Sequence, residues 1–306
     1  MPEASFRLMR DCRAAVEGRW LVAVLVAALF AGSCSDSPSQ PGPVPPPAPI
    51  PSPNQPPVIE SIVVSTQRVE VDAEVTVTAV VRDAETAVEQ LTFEWTAEGG
   101  TFTGEGPRVN WKAPADQATP RDHAVTLTVT ETFGTALNGG ARPQHRVTST
   151  SPVVRVHNSP KELGDMGVAF LRKFGDSSVS PEACVVDFSD TCRGKREELA
   201  DIALNRKHYR ILSASIGTPR VRYVPGSNAA EVVIRASYNS RVISCDDWPW
   251  QGPCNLNRVG SVTFDGRLPG VYEQGRWWLC ESRAEEVPGS PISPMMRPFL
   301  GLSGRR

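Results

Sequence analysis

Hydrophobic and polar residues alternate with a period of two through much of residues 58–157. In the segment 75–81, apolar residues occupy every odd position, and threonines separate the first three of them. Short alternating segments bounded by Gly, Pro, Asp or Asn indicate antiparallel strands with one buried face. Six or seven such strands in about 100 residues predict an immunoglobulin-like β-sandwich. We expect Trp95, in the middle of one strand, to fill its core.

The pattern changes after residue 158. Ser159-Pro160-Lys161-Glu162 predicts a helix start, with Ser159 as the cap and Glu162 completing a capping box. A short helix is predicted after Ser180, and a third from about residue 195 to 208. Helices followed by long antiparallel strands indicate an α+β fold, so the chain is predicted to be mainly β plus α+β. The predicted strands are 209–224, 230–243, 259–268 and 276–282.

The first 33 residues predict export. Arginines precede an uncharged apolar run at 20–31, which is too short to span a bilayer and is typical of a signal peptide. The sequence Ala31-Gly32-Ser33-Cys34 resembles the lipobox of bacterial lipoproteins, although that family usually has Leu where Ala31 stands. The resemblance implies cleavage before Cys34 and lipid on its sulfur. Ser35, in place of Asp, then implies the outer membrane of the cell envelope. The alternative is an ordinary signal peptide with a stray cysteine.

The composition of the chain indicates where its linker and its folded regions lie. The stretch 37–57 is rich in proline and predicts a polyproline II spacer of about 65 Å. A net charge of −2 gives no indication of nucleic-acid binding. The predicted organisation is a signal peptide at 1–33, a lipidated Cys34 with a linker at 34–57, a β-sandwich at 58–157, an α+β domain at 159–285 and a disordered tail at 286–306.

Several motifs resemble the PKD and related Ig-like modules of bacterial surface proteins. They are Asn54-Gln55-Pro56-Pro57, Leu91-Thr92-Phe93-Glu94-Trp95 and Trp111-Lys112-Ala113-Pro114. A Gly-Asp-Gly turn typical of PKD modules is missing after the Trp95 strand, so a related Ig-like family fits equally well. The resemblance implies a spacer or adhesive unit. Asp83, Glu85 and Glu89 carry carboxylate oxygens, which are the ligands that Ca²⁺ prefers. These residues do not have the regular spacing of a calcium-binding loop. We therefore interpret them as part of a solvated loop and predict no metal.

The C-terminal part resembles the NTF2-like (SnoaL-like) cone fold in its segments 170–174, 194–199 and 275–279. The resemblance implies a curved sheet that encloses a pocket. Enzymes of that family often use a His–Asp pair, and the histidine here is His208. It lies at a predicted helix C-terminus, where the helix dipole already favours a cation. We therefore predict no catalytic residue and no cofactor. The aspartates that could pair with His208 are Asp187, Asp190 and Asp201.

Five cysteines follow Cys34, all of them in the predicted α+β domain. Export favours disulfides, and two bridges among five cysteines can form in fifteen ways. Proximity in sequence favours two short loops and leaves Cys280 unpaired. A zinc site is not favoured, because zinc ligands usually stand closer together. The predicted pairs are Cys184–Cys192 and Cys245–Cys254.

Trp248 and Trp250 lie between two of these cysteines. They are either exposed, as a contact for a partner or glycan, or folded back on the sheet.

Three functions remain open. The first is a non-enzymatic, membrane-anchored envelope lipoprotein that binds a protein, a polysaccharide or a small apolar ligand. The second is a periplasmic enzyme that uses an NTF2-like pocket for acid–base chemistry. The third is a purely structural envelope spacer.

Overall fold

The computed structural model describes residues 53–136, 139–249 and 253–288. The predicted signal peptide, Cys34, most of the linker, Trp250 and the tail from residue 289 lie outside these ranges. The chain divides into two units, Met1–Ser52 and Pro53–Arg306. It is mostly β-sheet. Within the described ranges, none of the helices has the length and apolar character needed to cross a membrane.

Residues 53–157 form three sheets, with strand orders β1-β3-β6-β5, β4-β8-β9 and β2-β10-β7. Alternation is clearest in β8, where Val125, Leu127 and Val129 are fully buried and threonines separate them. The strands are β1 (Val58–Val64), β2 (Arg68–Glu70), β3 (Glu74–Arg82), β4 (Thr92–Ala97), β5 (Thr101–Thr103), β6 (Arg108–Lys112), β7 (Arg121–His123), β8 (Val125–Thr132), β9 (Gln144–Thr150) and β10 (Val154–His157).

Trp111, not Trp95, fills the centre of this core. Trp111 is fully buried, and its indole N–H donates to the Gly99 carbonyl at 2.9 Å. Trp95 is only partly buried and donates to Gly106. The prediction for Trp95 is wrong because its strand lies at the edge of a sheet, whereas the strand of Trp111 lies between two neighbours.

Residues 158–288 form one six-stranded sheet that curls into a half-barrel around helices. The chain order is α1 (Ser159–Gly175), α2 (Pro181–Cys184), α3 (Gly194–His208), β11 (Tyr209–Ile216), β12 (Arg220–Tyr223), β13 (Ala229–Val242), β14 (Val259–Glu273), β15 (Arg276–Leu279) and β16 (Arg283–Glu286). Strand β13 pairs with β11, β12 and β14, and β14 also pairs with β15 and β16.

Helix α1 packs closely on the concave face of this sheet. A Cβ added at Gly167 would lie 2.8 Å from the Ile234 Cδ1 atom, and one at Gly270 would lie 2.7 Å from Leu163 Cδ2. Real Cβ atoms do not approach so closely, so a larger residue at either position would force the end of the Ile234 or Leu163 side chain to move. The helix therefore sits against the floor of the half-barrel.

The first helix begins one residue earlier than predicted. Asn158 is the cap, because its side chain accepts from the Lys161 backbone N–H at 3.1 Å and its own N–H donates to Glu162 at 3.0 Å. Ser159 instead donates its hydroxyl to Glu70 at 2.6 Å. A reciprocal cap is present, but it pairs Asn158 with Glu162 four residues later, because the serine is used in a contact with the N-terminal sheets.

That contact belongs to a polar network between the N-terminal sheets and the C-terminal region. The Arg68 guanidinium lies 3.6 Å from the centroid of the Tyr272 ring and donates to Asn228 at 2.9 Å. Glu70 accepts hydrogen bonds from Ser159 and, at 2.8 Å, from the Tyr223 hydroxyl. The two parts of the chain are thus joined by ionic and aromatic contacts as well as by the backbone.

Candidate ligand cavity in the C-terminal region

A small cavity lies between helices α1 and α3 and the curled sheet. Its volume is about 60 Å³, and since a water needs roughly 10–15 Å³ of such space, it accepts a few waters or one small group. Its lining combines aromatic rings, aliphatic side chains and three polar side chains from one helix. The lining residues are Phe170, Leu171, Phe174, Glu198, Asp201, Asn205, Phe264, Gly266, Leu268, Ser282 and Ala284.

Helix α3 supplies the polar wall. Glu198, Asp201 and Asn205 follow one another at spacings of three and four residues, which places them on one face of a helix. Ile202, next to that face, is fully buried against the sheet. The packing of Ile202 therefore turns the three polar side chains toward the cavity.

Helix α1 and strand β14 supply the apolar wall. Phe170 and Phe174 stand four residues apart on α1, with ring centroids 6.4 Å apart. Phe264 and Leu268 come from alternate positions on the buried face of β14. Gly266 lies between them, and its missing side chain leaves space for the cavity.

Glu198 has the electrostatic property of most chemical interest. Burial raises its pKa to about 7, against hydrogen bonds from Ser282 that lower it, and the charge of Asp201 raises it further. A carboxyl group with that pKa exchanges its proton near neutral pH. Glu198 can therefore donate or accept a proton, or a hydrogen bond, inside a cavity with both polar and apolar walls.

The predicted candidate His208 lies elsewhere. It is fully buried, with Nδ1 3.2 Å from the Ser244 carbonyl oxygen and its ring 5.4 Å, centroid to centroid, from the Trp248 ring. It does not line the cavity that the described residues form. Of the three aspartates that could pair with His208, only Asp201 lines this cavity. Asp187 forms ion pairs with Lys173 and Arg276, and Asp190 pairs with Lys195.

Two disulfides are present, and one of them differs from the prediction. Cys245 bonds to Cys254, as predicted, but Cys192 bonds to Cys280, and among the described residues Cys184 is a buried free thiol. The predicted pair Cys184–Cys192 is wrong.

The reason is a non-local contact between the segment before α3 and strand β15. The Leu279 N–H donates to the Asp187 carbonyl at 2.9 Å, and the Ser189 N–H donates to the Leu279 carbonyl at 2.8 Å. These bonds bring Cys192 beside Cys280, with their Cα atoms 5.1 Å apart. Cys184 instead lies in the core, where burial raises the pKa of its thiol.

Trp248 folds back on the domain. It is partly buried, and its ring packs against His208 and against Tyr209, with a centroid distance of 5.8 Å to the latter. Trp250 lies outside the described residues. The structure therefore gives Trp248 an internal packing partner, the second of the two interpretations offered for it.

The acidic loop of the N-terminal sheets forms a local turn. The Asp83 carboxylate accepts from the backbone N–H groups of Glu85 and Thr86, at 2.9 and 2.7 Å. Within the described ranges, no group of three or more His, Cys, Asp or Glu residues is arranged to hold a metal ion. The Asp83 side chain is thus used to stabilise its own loop.

Comparison with known proteins gives little. No protein-family model and no curated protein matches the chain. The intermembrane-space region of the chloroplast protein ARC6 has a TM-score of 0.30 and 14% identity, over 42% of this chain and 97% of that one. A putative calcium/calmodulin-dependent protein kinase II association domain from Xanthomonas campestris has a TM-score of 0.27 and 9% identity, over 42% and 84%. Such low scores support no argument about fold or function.

Proposed function

We propose that this chain is a non-enzymatic, lipid-anchored protein of the bacterial cell envelope whose C-terminal region binds a small ligand. In this proposal residues 1–33 are removed, Cys34 carries lipid, and 34–57 form a spacer. The N-terminal sheets are an Ig-like module related to PKD, and the C-terminal region has the NTF2-like fold. The two disulfides support a location outside the cytoplasm, where such bonds persist.

The cavity against α3 is the observation that carries the binding function. Ligand sites are typically concave with a few convergent polar groups, and this cavity places the polar side chains of α3 opposite phenyl and aliphatic side chains. Both ionisable residues in the described lining, Glu198 and Asp201, are acids. Carboxylates facing phenyl rings favour a positively charged or hydrogen-bond-donating head, since cations are also attracted to aromatic faces. We therefore propose a small amine with a short apolar body.

Thermal unfolding with a panel of small amines, amides and alcohols tests this function. A ligand that binds the folded state raises its stability, by about 2.7 kcal/mol at one hundred times the dissociation constant. We expect n-butylamine to raise the melting temperature of the purified protein more than n-butanol does.

A matched pair of variants locates the site. Ala284→Leu places a bulky side chain in the cavity, whereas Ala229→Leu makes the same change at an exposed position at the start of β13. Ala284→Leu should abolish the amine response, and Ala229→Leu should keep it. Equal responses from the two variants would place amine binding elsewhere on the protein.

The anchor is tested separately. Cells given labelled palmitate should incorporate it into the natural chain but not into Cys34→Ser. A natural chain that stays unlabelled and remains in the cytosolic fraction would overturn the envelope location.

A second function, acid–base catalysis, is favoured by one observation. The pKa of Glu198, raised to about 7 by burial, suits a general acid or base near neutral pH. Glu198→Gln keeps the size of the side chain and removes its proton exchange. If the protein turns over an amine or carbonyl compound, this variant should lose turnover while retaining binding. An activity unaffected by Glu198→Gln would exclude this mechanism.

A further inference from the structure

We propose that strand β11, at the edge of the curled sheet, binds an extended peptide in which acidic and apolar residues alternate. The peptide adds to the sheet as a further strand and places its apolar side chains in a groove between β11 and the end of α1. This inference goes beyond the proposed function, because the groove and the cavity against α3 have no lining residue in common in the described parts of the chain.

The backbone of β11 is open on one side. Among the described strands, β13 is its one hydrogen-bonded neighbour. The Gly217 N–H donates to the Arg235 carbonyl at 2.8 Å, which continues the antiparallel register of the two strands. In such a pair, residues that bond to the partner strand alternate with residues whose N–H and C=O groups point away from it. The backbone groups of Ala214 and Ile216 therefore point to the open edge, where another strand can pair with them.

The same edge lines a groove with a volume of about 600 Å³, which is within the usual range for ligand sites. Ile211, Ala214 and Ile216 form the wall that β11 contributes, and the end of α1 at Gly175 forms part of the other wall. A Cβ atom added at Gly175 would lie 3.1 Å from the Ala214 Cβ atom, so the helix end lies close to the strand. Apolar side chains of an added strand thus meet an apolar wall in this groove.

The charges on the convex face of the sheet select acidic residues. Arg210 lies directly opposite Arg241 in the β11–β13 pair, and both are exposed. Further along the same face of β13, Arg235 lies opposite Asp265 and forms an ion pair with it at 2.9 Å. Within the described ranges, neither Arg210 nor Arg241 forms an ion pair. Like charges directly opposite each other destabilise a sheet, so an acid on an added strand beside Arg210 would relieve this repulsion.

Arg172 adds a second positive charge to the lining of the groove. It is exposed in the last turn of α1, where the helix dipole already favours a cation. Asp176 is the acid in the described lining, and its carboxylate accepts hydrogen bonds from the Ser178 backbone N–H and hydroxyl at 2.9 and 2.7 Å. Arg172 and Arg210 outweigh this one aspartate. The positive groove favours an acidic partner over a second copy of the chain, which would bring the same arginines.

The geometry of a strand determines the pattern of the peptide. Side chains along a strand point alternately to the two faces of the sheet. A strand added to β11 therefore presents one set of side chains to the apolar wall of the groove and the other set to Arg210 on the convex face. A peptide that alternates glutamate and valine matches both faces. The same residues arranged in two blocks place charges in the groove and valines beside the arginine.

Fluorescence anisotropy with the labelled peptide Glu-Val-Glu-Val-Glu-Val measures this binding. We expect the purified protein to bind it about tenfold more tightly than Glu-Glu-Glu-Val-Val-Val, which has the same composition and charge. Arg210→Glu should weaken binding of the alternating peptide about tenfold. Arg108→Glu makes the same change at an exposed strand position in the N-terminal sheets and should leave the affinity unchanged.

Two further measurements separate the contacts from the fold. Arg210→Glu should bind Lys-Val-Lys-Val-Lys-Val more tightly than the natural chain does, a gain that lost folding does not explain. Ala214→Pro removes the N–H that points to the open edge and keeps the bonds to β13, and edge strands tolerate proline at such a position. We expect this variant to keep the melting temperature of the natural chain and to bind the alternating peptide about tenfold more weakly.

Three results would overturn the proposal. The first is absent binding of the alternating peptide, or binding no tighter than that of the block peptide, which would contradict strand addition. The second is equal affinity for the alternating peptide in the natural chain and Arg210→Glu, which would contradict the charge match. The third is a dimer that forms as the protein concentration rises and that Ala214→Pro abolishes, because the edge would then pair with a second copy.

Discussion

His157 Nδ1 lies 2.9 Å from the Glu162 carboxylate, at the point where the last strand of the N-terminal sheets becomes the first helix. His157 is fully buried, and its Nε2 lies 2.9 Å from the Tyr272 hydroxyl. Two groups that can carry charge are thus held at the junction of the two parts of the chain.

This contact predicts acid sensitivity. Burial raises the pKa of Glu162, but its hydrogen bond and charge interaction with His157 outweigh burial and leave the pKa below the ordinary value of 4.5. Its contribution to stability is therefore complete above pH 4.5 and is lost as the pH falls through the folded-state pKa. Melting temperatures between pH 7 and pH 3 should fall less steeply for Glu162→Gln than for the natural chain. The exposed Glu182→Gln serves as control and should follow the natural curve.

Arg68 should be the strongest single contributor to the junction. Arg68→Ala removes the stacking on Tyr272 and the hydrogen bond to Asn228, and we expect a loss of about 2 kcal/mol in the free energy of unfolding. Arg82→Ala removes only an exposed ion pair with Glu60 and should cost less than about 0.5 kcal/mol. Denaturant titration measures the free energy of unfolding of both variants. Equal losses for Arg68→Ala and Arg82→Ala would show that the contacts of Arg68 stabilise the fold no more than an exposed ion pair does.

The two disulfides should differ in their effect on stability. Cys192–Cys280 closes a loop of 88 residues, whereas Cys245–Cys254 closes one of 9. Loop entropy then gives about 4.5 kcal/mol for the first and about 2.5 kcal/mol for the second. Replacing each pair by serines and comparing denaturation midpoints tests the order. Peptide mapping tests the pairing itself, and a Cys184–Cys192 peptide would contradict the structure.

The strands that follow hydrophobic periodicity were predictable from sequence, and those set by distant contacts were not. Strand β13 matches the predicted 230–243 within one residue at each end, because alternation decides which face is buried. Strand β14 was predicted to end at 268, before Pro269, but it continues to Glu273. Its backbone is held there by β15, whose pairing the local sequence does not reveal.

The cavity illustrates the same limit. Glu198, Asp201 and Asn205 have helical spacing that can be read from the sequence, but nothing local shows that this face turns toward Phe264 rather than toward solvent. The predicted pair Cys184–Cys192 is wrong for the same reason, which is that the local sequence does not reveal contacts between distant segments. The bond forms instead between Cys192 and Cys280, which are 88 residues apart in sequence and are brought together by the fold. Sequence proximity was a sound guide only for Cys245–Cys254, where the loop is short.

Glu198 predicts a second pH effect of opposite sign. With its pKa raised to about 7, the folded chain holds a proton that the unfolded chain releases above the ordinary value of 4.5. The free energy of unfolding should therefore fall as the pH rises from 4.5 to 7, by on the order of 3 kcal/mol. Glu198→Gln should remove this slope, and Glu197→Gln, one residue away, should retain it. A natural chain equally stable at pH 5 and pH 8 would argue against the burial of this carboxyl.

The most direct measurement is an NMR titration of the Glu198 side-chain carboxyl carbon, with and without n-butylamine. We expect a carboxyl that titrates near pH 7 in the free protein. Saturating amine should shift its resonance and lower its pKa, and Ala284→Leu should abolish that response. A Glu198 resonance that titrates near 4.5 and does not change with the amine would contradict a ligand cavity built around this residue.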